Sequence, residues 1–112
     1  MTETCTHLGE IRKVTPSAAG CEECLKIGDT WVHLRLCLMC GHVGCCDQSK
    51  NKHATKHFHA TRHAIIASLE PGEDWGWCYV DELFIDPNDL RRALDLAGMR
   101  EHPVRSPRKK GA

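Results

Sequence analysis

At 112 residues the chain is expected to form one domain, and a domain of that size buries only about two-thirds of the surface its unfolded chain exposes. Hydrophobic residues are 41% of the chain and aromatics only 5%, so the core is thin and the scaffold calls for a staple. Fifteen Lys and Arg balance 15 Asp and Glu; zero net charge supplies no general attraction to nucleic acid, and no apolar run is long enough to cross a membrane.

In chain order, residues 1–20 read as loop, punctuated by Pro16 and Gly20. The opening Met1-Thr2-Glu3-Thr4-Cys5 has neither a basic n-region nor an apolar h-region, so a reducing, cytoplasmic compartment is expected. Residues 30–36 alternate, which predicts a strand with Val32, Leu34 and Leu36 on one face and Trp31, His33 and Arg35 on the other. A helix is predicted over 51–60, with Asp47 and Ser49 as capping candidates. Residues 64–69 form a short apolar run read as a strand, Pro71-Gly72 marks a turn, and 77–85 is read as the next strand. Asp86 and Pro87 have the chemistry of a helix start. Leu90, Ala93, Leu94 and Ala97 give that helix one apolar stripe, expected to pack on the core, and Gly98 ends it. Residues 100–112 carry Arg100, Arg105, Arg108, Lys109 and Lys110 against Glu101 alone and read as a basic, disordered tail. The expected fold is α+β, a small antiparallel sheet with two helices and metal knuckles. The predicted division is a domain over 1–99 and a tail over 100–112.

The eight cysteines come with eight histidines, which disulfides would not require; in a reducing compartment such a pattern points to metal. Eleven of these residues stand at ligand spacings: Cys5 and His7, Cys21 and Cys24, Cys37 and Cys40, Cys45, His53 and His57, His63, and Cys78. A Cys-x-x-Cys pair on a tight turn brings two thiolates to one zinc at about 2.3 Å. Gly41, directly after Cys40, tolerates the positive φ with which a knuckle turns back. On a helix His53 and His57 share a face, so by spacing alone both could join Cys21 and Cys24 in a Cys₂His₂ site. Cys46, His33, His42, His59 and His102 are left over; Cys46 reads as a packed thiol and His59 as a solvated residue.

The order Cys-x-His, Cys-x-x-Cys, Cys-x-x-Cys-Gly-x-Val-Gly-Cys, His-Ala-x-x-His, Thr-x-His and Trp-Cys-Tyr, spread over residues 5–86, resembles the UBP-type zinc finger, the ubiquitin-binding finger of some deubiquitinases and one histone deacetylase. The resemblance implies interleaved ligands. Cys21, Cys24, Cys45 and His53 would hold one Zn²⁺, and Cys37, Cys40, His57 and His63 a second. Cys5, His7 and Cys78 would belong to a third. Three-zinc members carry a further cysteine three residues on, where this chain has Asp81. Aspartate is an allowed zinc ligand, but a regular strand would point Cys78 and Asp81 to opposite faces, so ligation by Asp81 requires a bend.

Four protein ligands per metal are the structural arrangement, not the catalytic one, and no nucleophile–base pair stands apart from the ligands; binding rather than catalysis is expected. Fingers of this type recognise a free C-terminal Gly-Gly carboxylate in an aromatic pocket. The resemblance carries that pocket onto Trp31, seven residues after Cys24, and onto Trp77 and Tyr79. Binding members have Cys-Gly-Arg where this chain has Cys45-Cys46-Asp47. An acid beside a terminal carboxylate is repulsive, which argues against ordinary ubiquitin recognition. Arg35, on the predicted face of Trp31, is the candidate replacement. The expected partner is a protein or peptide C-terminus, and the chain is expected to stand alone or act as an adaptor. Two other readings are a nucleic-acid-binding module using the basic tail with Arg91, Arg92 and Arg100, which zero net charge disfavours, and a structural adaptor with no pocket.

Overall fold

The computed structural model describes residues 7–99. Cys5 and the predicted basic tail therefore lie outside the described residues. A 3-10 turn at Leu8–Glu10 is followed by helix α1 (Glu22–Ile27), strands β1 (Leu34–Cys37) and β2 (Val43–Cys45) and helix α2 (His53–Thr61). Strands β3 (Ile65–Ser68), β4 (Gly76–Cys78) and β5 (Leu83–Ile85) come next, and helix α3 (Pro87–Leu96) closes the series. The five strands make one antiparallel sheet in the order β2-β1-β3-β4-β5. The fold is α+β as predicted, with one helix more than the expected two.

That extra helix, α1, occupies a stretch read as a knuckle. Glu22 and Glu23 stand in its first turn, where negative charge complements the helix dipole, and Gly28 ends it in the left-handed region at φ 73°. Three further expectations are corrected. The strand predicted from residue 30 starts at Leu34, and Val32 is 52% exposed rather than facing the core. The strand predicted over 77–85 is two strands, broken by a turn at 79–82 where Glu82 takes a φ of 54°. Helix α2 has Lys52 at its N-cap with no side-chain cap. Ser49 instead accepts the Val32 N–H at 2.8 Å, and Asp47 accepts the Thr55 hydroxyl at 2.5 Å.

Register sorts the sheet into two faces. The pairs Leu36↔Val43, Leu36↔Ala67 and Ile65↔Cys78 put apolar residues on one face, against which α3 lays Leu90, Ala93 and Leu94. Asp86 accepts the Asp89 N–H at 2.8 Å and Pro87 fills the first position, so α3 starts as its sequence dictates. Leu90 and Leu94 are almost wholly buried, each contributing about 1.5–3 kcal/mol. The opposite face carries Arg35, Ile66, Trp77 and Phe84, aligned by Arg35↔Ser68, Ile66↔Trp77 and Trp77↔Phe84. Helix α2 covers the β2 end of that face. It approaches so closely that a Cβ on Gly44 would stand 2.7 Å from the Ala54 nitrogen, a contact only glycine permits. The β3–β5 end of the face is left to line a cavity.

Candidate metal centres and ligand cavity

Two tetrads form on either side of α2. Cys21 at the start of α1, Cys24 within it, Cys45 ending β2 and His53 opening α2 offer donor atoms that all lie within 4.8 Å of one another. The His53 Nδ1 atom is 3.2, 3.4 and 3.6 Å from the sulfurs of Cys21, Cys24 and Cys45. Sulfur at about 2.3 Å and nitrogen at about 2.0–2.1 Å on a zinc tetrahedron would stand about 3.6 Å apart, so the donor set fits zinc. Cys37, Cys40, His57 and His63 make the second tetrad, with Cys40 Sγ 3.3 Å from His57 Nε2 and Cys37 Sγ 3.6 Å from His63 Nδ1. The alternative that His53 and His57 share Cys21 and Cys24 is not the arrangement found. Gly41 turns this knuckle at φ 88°, and a Cβ there would run into the Thr15 carbonyl.

His7, Cys78 and Asp81 converge as a third group. His7 Nδ1 lies 3.1 Å from Asp81 Oδ2 and 3.5 Å from Cys78 Sγ. The bend that this requires is the 79–82 turn, in which the Asp81 N–H reaches back to Cys78 Sγ at 3.4 Å.

The protonation chemistry suits a bound cation. Burial pushes the Cys21 thiol up to about 12, with the Cys45 thiol beside it adding to the effect, and burial pushes Cys37 up to about 11. Such thiols shed their protons at neutral pH only when a positive ion shares the site. His57 is pushed down to about 4 by burial and by its neighbours His42 and His63, which keeps it in the neutral form that binds metal. The surroundings hold the ligands in place. The His53 N–H points at Cys45 Sγ, the Asn51 amide at Cys24 Sγ and the Met39 N–H at Cys37 Sγ. His42 stacks on His57 with centroids 4.1 Å apart and meets both Glu23 carboxylate oxygens at 2.8 Å. Sequence reading passed over His42 and Glu23, for a lone histidine outside the ligand spacing carries no signal.

The second feature is a cavity of about 360 Å³ lined by Arg35, Asp47, Trp75, Trp77, Tyr79 and Phe84, with Cys46, Gln48 and Ile66. Three of the four predicted pocket residues, Arg35, Trp77 and Tyr79, meet there. Trp31 does not. It precedes β1, so the strand alternation that would align it with Arg35 does not reach it. Its indole lies against Gly20 and packs on Cys21, Cys24 and Cys45, half-buried beside the first tetrad. Trp75 takes its place. The signal that could have found it is the two-residue spacing of Trp75, Trp77 and Tyr79, of which Trp77 lies in β4 and the other two flank it.

Arg35 is held tightly at this cavity, its side chain 12% exposed. Its guanidinium lies 4.7 Å from the Trp75 ring centroid. Nη1 donates to the Leu34 carbonyl at 2.9 Å and to Ser68 Oγ at 3.3 Å, and stands 3.8 Å from Glu73. Among the described residues all of these polar contacts use Nη1. A guanidinium carries five N–H donors, so others can address a ligand. Tyr79 stacks on Phe58 of α2 at 4.8 Å, and its hydroxyl lies 3.3 Å from the Thr55 hydroxyl that donates to Asp47. Cys46 is buried, with Ser49 Oγ 3.6 Å from its sulfur rather than a histidine. Burial pushes its thiol up, but hydrogen bonding to the Ser49 side chain and to nearby backbone outweighs this and leaves it below the usual range. Arg91 and Arg92 are both exposed on α3, and Arg92 pairs with Asp89 at 3.5 Å. No helix among the described residues is long and apolar enough to cross a membrane.

Comparison with known proteins places these features in a family. The family described as the Zn-finger in ubiquitin-hydrolases and other protein matches residues 21–90. Ubiquitin carboxyl-terminal hydrolase 16 of Mus musculus is 44% identical over 76 residues, covering 58% of this chain and 9% of that protein. BRCA1-associated protein of Homo sapiens is 32% identical over 78 residues, covering 67% of this chain and 13% of that protein. The chain thus spans only a small part of the curated relatives it matches. The solution NMR structure of protein RPA1320 from Rhodopseudomonas palustris is similar over the whole of both chains, with 55% identity and a TM-score of 0.74.

Proposed function

This chain belongs to the family of zinc fingers found in ubiquitin hydrolases and other proteins, and we propose that it is a zinc-held module, without chemistry of its own, that binds the free carboxyl terminus of a protein or peptide. Each tetrad takes one zinc with four protein donors, which leaves no open position for a catalytic water. The third group takes another, with Cys5 completing His7, Cys78 and Asp81. The finger spans 1–99, followed by the basic tail over 100–112.

The observation that carries the binding reading is Arg35, a guanidinium fixed over Trp75 in an aromatic cavity. An arginine matches a carboxylate in both charge and geometry, and aromatic walls exclude the water that would otherwise screen the pair. In the Cys-Gly-Arg pattern of ubiquitin-binding fingers the position of Asp47 carries the arginine. Here the positive charge comes from β1 instead, so the recognised tail need not be that of ubiquitin.

Tryptophan fluorescence tests the reading directly, since Trp75 and Trp77 line the cavity. A peptide ending in a free Gly-Gly carboxylate is expected to bind at least about tenfold more tightly than its amide, because a neutral amide forfeits the charge-assisted hydrogen bonds that a carboxylate makes to the guanidinium. Arg35→Gln is expected to remove that preference while zinc content stays unchanged. Equal affinity for acid and amide, or binding of neither, would rule the proposal out.

A further inference from the structure

We infer that the cavity selects carboxyl termini bearing a cationic side chain close to the end, and that Asp47 is the residue that reads this cation. The terminal-carboxylate half of the inference rests on the function proposed above; the cation half rests on Asp47 and the aromatic walls alone.

Two opposite charges line one small cavity, and they are not equally balanced by the protein. Arg35 has Glu73 at 3.8 Å and the Trp75 ring face beside it. Asp47 accepts a hydrogen bond from the neutral Thr55 hydroxyl. Among the described residues it forms no ion pair, whereas Glu22, Asp29, Glu73 and Asp89 each pair with a lysine or arginine. An ionised carboxylate offers about four lone-pair sites, so one hydroxyl leaves it with acceptor capacity. A site for a simple anion would be weakened by such an acid. For a peptide end that carries both signs, each charge meets its opposite.

The walls and the dimensions point the same way. Trp75 already holds one guanidinium by its ring face, and Trp77, Tyr79 and Phe84 add aromatic surface of the kind that attracts ammonium and guanidinium groups and packs their alkyl stems. A volume of about 360 Å³ lies near the low end for ligand sites and confines recognition to roughly the last two or three residues. Depth sets the order. Arg35 is nearly enclosed, whereas Asp47 and Gln48 are exposed at the rim. The terminal carboxylate therefore enters first, and the cation belongs to the second or third residue from the end.

The test is calorimetric titration of the full zinc-loaded chain with four peptides: lysine or glutamate third from the end of an otherwise identical Ala/Gly peptide, each as free acid and as amide. The lysine free acid is expected to bind about tenfold more tightly than the glutamate free acid, since attraction is exchanged for repulsion at a partly shielded site. Asp47→Asn keeps an acceptor for Thr55 and is expected to bring that ratio close to one; Asp47→Lys is expected to invert it. Zinc content and circular dichroism identify any variant that has lost its fold. If acids outbind amides but lysine and glutamate bind alike, the cation inference is overturned and the carboxylate reading stands. If lysine is preferred through Asp47 but acid and amide bind alike, the carboxylate reading falls and Asp47 keeps its role. Binding of none of the four overturns both.

Discussion

His57 couples the second metal centre to pH. Burial, with His42 and His63 close by, pushes it from 6.5 down to about 4. An unfolded chain takes up this proton near 6.5 and the folded chain only near 4, so between those values acid favours the unfolded state. The stability this residue contributes is complete above 6.5 and is lost as the pH falls towards 4. Metal release runs in the same direction, because thiolates must regain protons. Melting temperatures of the zinc-loaded protein are expected to hold steady above pH 6.5 and to fall continuously below it. A flat profile down to pH 4 would contradict the coupling of proton uptake to metal release at this centre. At this scale the ligand types were legible in the spacing, but their partition came only from the family resemblance: one turn of helix separates His53 from His57, and spacing alone cannot tell one metal from two. Trp31 and Trp75 mark the same limit. Strand alternation is a sound guide only where a strand exists, and β1 starts three residues after Trp31.

Helix α2 joins the two tetrads by giving one histidine to each, while α1 supplies two ligands of the first tetrad and, through Glu23, a contact to the second. Glu23 stands between Cys21 and Cys24 and meets His42, which stacks on the ligand His57. This path joins α1 to the second centre without passing through a metal. Partners outside the ligand set orient it, and their loss commonly weakens metal binding about 10–100-fold. His42→Ala is expected to weaken one of the two tetrad zincs by about tenfold in a chelator competition, the affected one being that of Cys37, Cys40, His57 and His63. Cysteine-resolved cobalt substitution or histidine NMR shifts would identify it; equal weakening of both centres, or of neither, would refute the path. Helix α3 was legible from its cap, its proline and its stripe because all three act locally. The break between β4 and β5 was not, since it depends on Glu82 taking a positive φ, for which glutamate has no preference. The missed helix α1 is only six residues long, too short to display a period.

The whole molecule has two sources of order around one sheet. At the β2 end the two tetrads tie α1, β1, β2 and α2 together, with little apolar packing beyond Trp31 and Leu34 around the first. On the sheet face under α3, Leu36, Val43, Ile65, Ala67, Ile85, Leu90 and Leu94 form a conventional core. A structural zinc is worth about 10–16 kcal/mol of apparent binding free energy in small peptides, against a net stability of about 5–15 kcal/mol for a typical domain. Losing both metals therefore exceeds what the apolar core can offset, and the demetallated, reduced chain is expected to lose its native near-UV spectrum. The loss is expected to be ordered in space. Hydrogen exchange followed during slow chelation would register deprotection first in α1, β2 and α2, whose positions depend on the tetrads, and last in β3 and α3, whose contacts are apolar. Family membership alone does not predict that order; it follows from where the ligands and the leucines lie. Simultaneous deprotection of all elements would mean that the two sources form one cooperative unit. Protection retained throughout would mean that packing, not metal, holds the fold.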